Sequence, residues 1–381
     1  MTMPFELPDP RRWPTAAAAP AAAQAIYARV IERLALTGVE AGERIDASID
    51  EALGAHVRAG DGAGLTGLLA GAPAADVYRH LWRRLGVTEA AVLTQRNLSI
   101  VLFALPLVVV AARDAEGEPA LLPATVDAPA ISAALRDNGL VAGDAHVAVS
   151  ATLAGSESLD AAALPGLCVQ ARALLDGLST HALELPAAPI LVDAAHEAAH
   201  LRFIVGYALC APHADPLRAV AQKANALVLS RRLSSALATP RTTVLALPGT
   251  PSRLVPALAA GRSAQRQVAL ELFAGNALRA LRARYGEPTA VISAHEAPDA
   301  RGGGEIRLGL SSPFSPRDAE GFRYPVEPYE RIPDAVHAIT TLLADCRVLD
   351  VRAMPGIQPD RDAATGLRRF CRGDDVERTV H

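Results

Sequence analysis

The sequence predicts an α+β fold in which a helical N-terminal region precedes a series of alternating strands and helices. Three observations predict it. Apolar residues recur at helical spacing up to about residue 84, short apolar runs alternate with helical segments from residue 97 onward, and the order of those elements occurs twice. The chain has 381 residues, of which 50% are hydrophobic, so it can bury a sizeable core.

The N-terminal region, residues 1–96, is predicted to be helical. The segment "AAAQAIYARVIERLALTG" has helical spacing and ends at Gly38, while "SIDEALGAHVRAG" and "DVYRHLWRRLG" predict further amphipathic helices. Between the last two, Gly62, Gly64 and Gly67 match G-x-G-x-x-G. That motif binds dinucleotides only where it follows a strand and opens a helix. Because helices flank it here, we interpret it as a flexible loop.

Two further regions, 97–212 and 213–381, are predicted to alternate strands and helices. The predicted strands are Leu98–Val110, His146–Leu153, Ala182–Leu185, Ile190–Val192, Phe203–Cys210, Thr242–Leu247, Thr289–Ala294, Glu305–Leu310 and Val348–Ala353. The predicted helices are Pro129–Asn138, Leu159–Leu178, Pro216–Leu237, Arg253–Tyr285 and Asp334–Asp345. Pro106 leaves open a break in the first strand. The aromatic and proline-rich segment "SSPFSPRDAEGFRYPVEPYERIPD" is interpreted as a long connection.

The order β-α-β-β-α-β occurs in residues 144–210 and again in 241–355. It predicts two related ferredoxin-like units, with helices on one face of a mainly antiparallel sheet. In the second unit, "RGGGE" supplies glycines that tolerate the positive φ of a tight hairpin turn, and "PAAP" takes that place in the first. The repeat aligns "DAAHEAAHLRFIVGYAL" with "DAVHAITTLLADCRVLDV". The first of these is therefore predicted to begin with a helix capped by Asp193.

Composition excludes several classes of protein. A net charge of -4 and a pI near 6.2 lack the basic excess of nucleic-acid-binding proteins. The only lysine, Lys223 in "AQKAN", forms neither a Gly-Lys-Ser/Thr phosphate loop nor an evident Schiff-base site. The most apolar run, 98–112, is too short to span a membrane, and "MTMPFELPDPRRWP" lacks the apolar core of a signal peptide. We expect a cytoplasmic protein without a nucleic-acid or membrane partner.

The stretch "DAAHEAAHLRF" contains H-E-x-x-H, a spacing that on a helix places two zinc-binding histidines beside a catalytic glutamate. His196 and His200 would be the ligands, and Glu197 would be the general base. Candidate third ligands are His213, Asp215 and Glu271. None has a recognised spacing, so a polar, solvated helix face is the alternative.

Two strand-to-helix junctions, "LAGSES" and "LPGTPS", place small residues before a helix N terminus, where backbone amides can bind an anion. The candidate anion-binding residues are Gly155 and Ser156 in the first junction and Gly249 and Thr250 in the second. Helix capping by the hydroxyl groups is the alternative.

The C-terminal block, with "RGGGEIRLGLSSPFSPRDAEGFRYP" and "CRVLDVRAMPGIQPDRDAATGL", resembles an uncharacterised bacterial family of unknown function. That resemblance implies no activity. Fold analogy favours a non-enzymatic scaffold, regulatory or ligand-binding protein without a cofactor, and the high apolar content favours a homo-oligomer. The alternatives are a zinc-dependent hydrolase at the H-E-A-A-H segment and a regulatory domain that binds a phosphorylated metabolite.

Overall fold

The structure is a computed structural model. It describes residues 20–111, 120–156, 158–177, 183–185, 191–192, 197–212, 214–217, 223–239, 241–246, 251–296, 304–313 and 315–358. The helices in these residues are α1 (Ala21–Ala35), α2 (Val39–Ala59), α3 (Gly62–Ala70), α4 (Ala75–Val92), α5 (Ala128–Asp137), α6 (Ala163–Leu175), α7 (Lys223–Leu237), α8 (Leu254–Tyr285) and α9 (Ile332–Asp345). The strands are β1 (Ser99–Ala111), β2 (Ala120–Leu121), β3 (His146–Val149), β4 (Ala154–Gly155), β5 (Leu191–Val192), β6 (Ala198–Cys210), β7 (Thr242–Ala246), β8 (Ser252–Arg253), β9 (Thr289–Glu296), β10 (Gly304–Ser312), β11 (Ser315–Val326) and β12 (Asp350–Gln358).

The chain divides into two compact units. The central unit comprises residues 32–68 and 81–268, and the terminal unit comprises residues 1–31, 69–80 and 269–381. Each contains one larger sheet, and all strand pairs except β9–β12 are antiparallel among the described residues. This mixture of helices and mostly antiparallel strands confirms the predicted α+β class. In the part of the chain that the structure describes, no helix is both long and apolar enough to cross a membrane.

The sheet of the central unit is organised around the pairing of β1 with β6. These strands run antiparallel in continuous register, from Ser99 opposite Cys210 to Ala111 opposite Ala198. Most of their residues are buried, which agrees with the nearly continuous apolar sequence of β1, because a strand covered on both faces has no polar side. The shorter strands β3 and β4 add to the outer edge of β6, and β7 and β8 add to that of β1.

Pro106 does not break β1. On one side of this strand, β7 pairs with residues 107–111 and β8 pairs with residues 103–104, so the neighbouring strand is interrupted where the proline lies. Proline lacks the N–H group of a ladder hydrogen bond and is tolerated at such an interruption. Helix α8 packs closely above it, because a β-carbon on Gly261 would lie 2.9 Å from Pro106 and 2.7 Å from Phe203.

The apolar core of the central unit covers one face of its sheet. Alternate residues of β1, including Phe103, Leu105 and Leu107, pack there with side chains of α5 and α7. Each of these three side chains is at most 5% exposed. Burying a large apolar side chain contributes roughly 1.5–3 kcal/mol, so this alternation is a main source of stability in the unit.

The sheet of the terminal unit has the order β11-β10-β9-β12. The first three strands are antiparallel neighbours, and β12 returns parallel to β9 after helix α9. One face carries Ile292, Leu308 and Tyr324, which are buried against α8 and α9. This part of the chain therefore agrees with the predicted hairpin, helix and final strand.

The structure does not support the predicted duplication of a ferredoxin-like unit. The first strand of the second predicted unit, β7, pairs with β1 in the central sheet and not with β9 to β12. In the first predicted unit, β5 pairs with β2 in a separate two-stranded sheet. The physical reason for this difference from the prediction lies in strand β1, which is long and apolar and pairs with both β6 and β7. The repeated order of elements contained no information about that choice.

Strand β11 replaces most of the predicted long connection. Its prolines and charged residues are untypical of a strand. However, the side chains of Phe322, Tyr324 and Val326 face the apolar core. The intervening residues Arg323 and Pro325 are exposed. That spacing of two is typical of a strand with one buried face. Because β11 lies at the edge of its sheet, it also tolerates proline.

The glycine motif lies in helix α3 and not in the predicted loop. Helix α2 ends at Gly60, which has the left-handed conformation (φ 71°) that glycine adopts without strain. Asp61 then caps α3, because its Oδ1 accepts a hydrogen bond from the Gly64 N–H group at 2.8 Å. Gly62 and Gly67 occupy opposite ends of the same motif, in very different surroundings. A β-carbon on Gly62 would collide with a backbone carbonyl oxygen, whereas nothing lies within 4 Å at Gly67.

We expect Gly62→Ala to lower the free energy of unfolding by about 1–3 kcal/mol, because the added methyl group would collide with the carbonyl oxygen of Ala162. The matched change Gly67→Ala should leave it unchanged or raise it by up to about 1 kcal/mol, since alanine favours a helix. Urea denaturation of both variants measures the difference. Equal effects of the two changes would contradict the close packing of α3.

Candidate functional site

The described end of the H-E-A-A-H segment is a strand and not the predicted helix. Residues 193–196 lie outside the described residues, Glu197 is exposed, and β6 begins at Ala198. His200 is therefore a half-buried strand residue opposite Val109 of β1. Alanine favours helices in isolation, but pairing with the long apolar β1 overrides that preference here. The shared helix face on which the zinc geometry depended is absent at His200.

The described residues do not complete a metal site. No group of three or more histidine, cysteine, aspartate or glutamate side chains among them is placed to hold a metal ion. His196 and the candidate third ligand His213 lie outside the described residues. Zinc binding by His196 and His200, with Glu197 as the base, stays a prediction.

Local hydrogen bonds occupy the polar groups of the first glycine junction. The Gly155 N–H group donates to Ser158 Oγ at 3.1 Å, and that hydroxyl lies 3.2 Å from the Gly155 carbonyl oxygen, to which it donates. At the start of α6, Asp160 Oδ1 accepts from the N–H groups of Ala162 and Ala163. The carboxylate of Asp160 thus accepts from amides at the start of this helix, to which an anion could otherwise bind.

Ser156 is half-buried at the same junction. The candidate residues of the second junction, Gly249 and Thr250, lie outside the described residues. Anion binding at the two junctions stays a prediction.

A cleft that no sequence motif indicates lies near the Ser99–Cys210 end of the β1–β6 pair. Its volume is about 510 Å³, within the usual range for small-molecule sites. Alanines supply part of its lining: Ala90, Ala91 and Ala214. The polar residues that the structure describes in the lining are Thr94, Ser99, Asp215 and Arg253. All of these residues belong to the central unit.

Arg253 is the cation among the lining residues of the cleft that the structure describes. It lies on β8 opposite Phe103 and is half-buried. No hydrogen bond or ion pair joins its guanidinium group to another residue that the structure describes. A guanidinium group has five N–H donors in a planar fork, so this side chain retains its capacity to bind a carboxylate or a phosphate.

Asp215 supplies a negative charge in the same cleft. Its side chain is exposed, and Oδ1 accepts a hydrogen bond from the Leu217 N–H group at 3.2 Å. Although Asp215 and Arg253 line one cleft, they form no ion pair, for which the limit is 4.0 Å. The cleft therefore presents separated charges of opposite sign.

The two hydroxyl groups of the cleft bond to each other. Thr94 Oγ1 lies 2.9 Å from Ser99 Oγ and donates to the Ala90 carbonyl oxygen at 2.8 Å. These bonds fix the C-terminal turn of α4 against the start of β1. Arg253 and Asp215 are left as the stronger recognition groups of the cleft.

Glu89 is a buried acid on α4, directly before the two alanines of the cleft. It is 1% exposed, and neither carboxyl oxygen has a hydrogen-bond partner among the described residues. Burial raises the pKa of Glu89 to about 8, while the charge of Arg253 acts to lower it. The carboxyl group is therefore mainly protonated at pH 7, and its titration is electrostatically linked to the arginine of the cleft.

A second polar cluster lies on the terminal sheet, on the face away from the apolar core. Ser293 Oγ and His295 Nε2 are 2.7 Å apart, a distance at which histidine can activate a serine. However, Ser293 is only 1% exposed, and the two oxygens of Glu305 are bound by Arg307 and Arg323. Because its serine is buried, the cluster offers no open nucleophile.

No protein-family model, curated protein or solved structure matches the chain.

The sequence contained one weak signal of this site and lacked the others. Glu89 falls four residues from Leu85 and from Leu93, both fully buried, so helical periodicity alone places an acid on an apolar face. Arg253 and Asp215 lie far apart in the chain, in segments with no distinctive spacing. Only the pairing of the long strands brings them to one cleft.

The raised pKa of Glu89 predicts a pH-dependent stability. The folded protein keeps a proton that the unfolded chain, with an ordinary value near 4.5, loses as the pH rises. The contribution of this group is therefore most favourable below pH 4.5, and the free energy of unfolding falls by about 1.4 kcal/mol per unit between pH 4.5 and 8. In Glu89→Gln this pH dependence of the free energy of unfolding should disappear. The stability of the variant relative to the wild-type protein should therefore increase as the pH rises.

Urea denaturation at several pH values between 5 and 8 tests this expectation. Glu197→Gln, which changes an exposed side chain, is the matched control and should keep the wild-type slope. If Glu89→Gln keeps the same slope as well, Glu89 does not retain its proton in the folded protein.

Proposed function

We propose that this protein is a non-enzymatic binding protein whose central unit holds a small molecule, by an anionic group of that molecule, in the cleft at Arg253. The half-buried guanidinium group without a described hydrogen-bond or ion-pair partner carries this proposal. An arginine in such surroundings has lost part of its hydration and gains most from a charged acceptor. The cleft around it has the volume of a metabolite site.

Binding explains the cleft better than catalysis does. The hydroxyl groups of Thr94 and Ser99 bond to each other, and no described base lies within hydrogen-bond distance to activate either one. Burial raises the pKa of the nearby Cys210 thiol, which disfavours the reactive thiolate even though the charge of Arg253 acts in the opposite direction. These groups can orient a ligand but are poorly placed to attack one.

The other interpretations remain separate proposals. A zinc hydrolase would need His196, His200 and a third ligand to converge, with Glu197 as the base. A regulatory domain for a phosphorylated metabolite would use the glycine junctions. Self-association and a cytoplasmic location likewise stay predictions from composition. Among the described residues, the cleft has the more specific chemical support.

We expect at least one small compound with a carboxylate or phosphate group to raise the thermal unfolding temperature of the protein, because a ligand that binds only the folded state stabilises it by mass action. Sodium salts of carboxylic acids, amino acids and inorganic phosphate, each at millimolar concentration, form the panel. The shift should disappear in Arg253→Gln.

Arg136→Gln is the matched control, because Arg136 is an exposed arginine on α5 in the same unit. It should retain the full shift. A panel without any stabilising anion, or a shift that survives in Arg253→Gln, would refute the binding site.

A further inference from the structure

We infer that the ligand is a small zwitterion of the amino-acid class, with its carboxylate on Arg253 and its ammonium group on Asp215. This inference rests on the proposed function, because it assigns a ligand to the same cleft. It goes further by giving the aspartate a role, and by predicting that a simple acid is the wrong ligand.

The cleft contains a positive and a negative side chain, Arg253 and Asp215. Arg253 and Asp215 both line it, yet their charged atoms are farther apart than the 4.0 Å of an ion pair. Had the two side chains served only each other, direct contact would satisfy both. Their separation leaves room for a molecule that carries the two complementary charges.

The two carboxylate oxygens of Asp215 have different surroundings. The backbone N–H of Leu217 donates to Asp215 Oδ1 at 3.2 Å, which holds that oxygen in place. The second oxygen, Oδ2, has no hydrogen bond to a described residue. An ammonium group, with its three donors, is a suitable partner for this oxygen.

The charge of Asp215 disfavours phosphate and dicarboxylates as ligands of this cleft. A phosphate or dicarboxylate held by one guanidinium group would place a second negative charge near Asp215, and like charges repel at such distances. A single carboxylate avoids that cost, and an ammonium group on the same ligand turns it into an attraction. In an α-amino acid the two charged groups are about 3 Å apart, so one small molecule carries both complementary charges.

The other described lining residues of the cleft are small. Ala90 and Ala91 on α4, together with Ala214, give it short apolar walls. Thr94 and Ser99 already bond to each other. These walls can accommodate a small uncharged side chain, while recognition depends on the charged pair.

Isothermal titration calorimetry of the full chain with each of the twenty α-amino acids tests the inference. Each amino acid that binds is then compared with the amine that lacks its carboxylate and with the acid that lacks its amino group. We expect both truncated compounds to bind at least about tenfold more weakly, since each loses one charged contact. Inorganic phosphate, titrated separately, should bind more weakly than the amino acid.

The variant Asp215→Asn separates this inference from the proposed function. It should weaken the amino acid at least about tenfold but leave the deaminated acid as tightly bound as before or tighter, because a repulsive charge is removed. Arg253→Gln should weaken both compounds. Asp137→Asn, at an exposed position on α5, is the matched control and should change neither affinity. Circular dichroism of each variant confirms that it is folded.

Two results would overturn the inference. If the deaminated acid or phosphate binds as tightly as the amino acid, and Asp215→Asn does not weaken the amino acid, the zwitterion is wrong while anion binding at Arg253 stands. If no amino acid, acid or phosphate binds the wild-type protein, both proposals fail.

Discussion

The antiparallel pairing of β1 with β6 is the interaction on which the rest of the central unit depends. Its register runs unbroken from Ser99–Cys210 to Ala111–Ala198, and every other strand of that sheet is added to one of these two. A shift of one residue would turn the apolar set of each strand to the opposite face, so the register is strongly specified. The same pairing determines what lies at each end of the sheet. At one end, residues 198–200 of the H-E-A-A-H segment lie in strand β6, and the other end adjoins the cleft.

The cleft lies where the protein departs from the ordinary rules of a core. Glu89 is an acid without a described hydrogen-bond partner on a buried helix face, and Arg253 is a half-buried cation with none. When no ligand is bound, each of these two arrangements lowers the stability of the folded protein. Natural proteins tend to keep such violations where function requires them. Arg84, by contrast, makes two hydrogen bonds to Asp50 and thereby joins α4 to α2.

The sequence predicted the elements with strong periodicity and failed where pairing between distant segments decides the outcome. The α+β class, β1 and the long helix α8 follow from local pattern. Strand β11 was hidden by its prolines, although Phe322 and Tyr324 carried the correct alternation. The helix predicted at His200 gave way to strand pairing, and the partner of β7 could not be read from the order of elements. The site was missed for the same reason, because only long-range pairing places Arg253 and Asp215 in one cleft.

Amide chemical shifts of the deuterated, ¹⁵N-labelled protein test most directly which end of the β1–β6 pair carries the function. A mixture of amino acids and, separately, zinc chloride would be titrated while the amides of both ends are followed. We predict saturable shifts at Ala90 to Thr94, Ser99 and Cys210 with the amino acids, and none at Glu197 to Leu201 with zinc. Saturable shifts at Glu197 to Leu201 with zinc, and no change around Ser99 with the amino acids, would contradict this account and make the metal site the leading hypothesis.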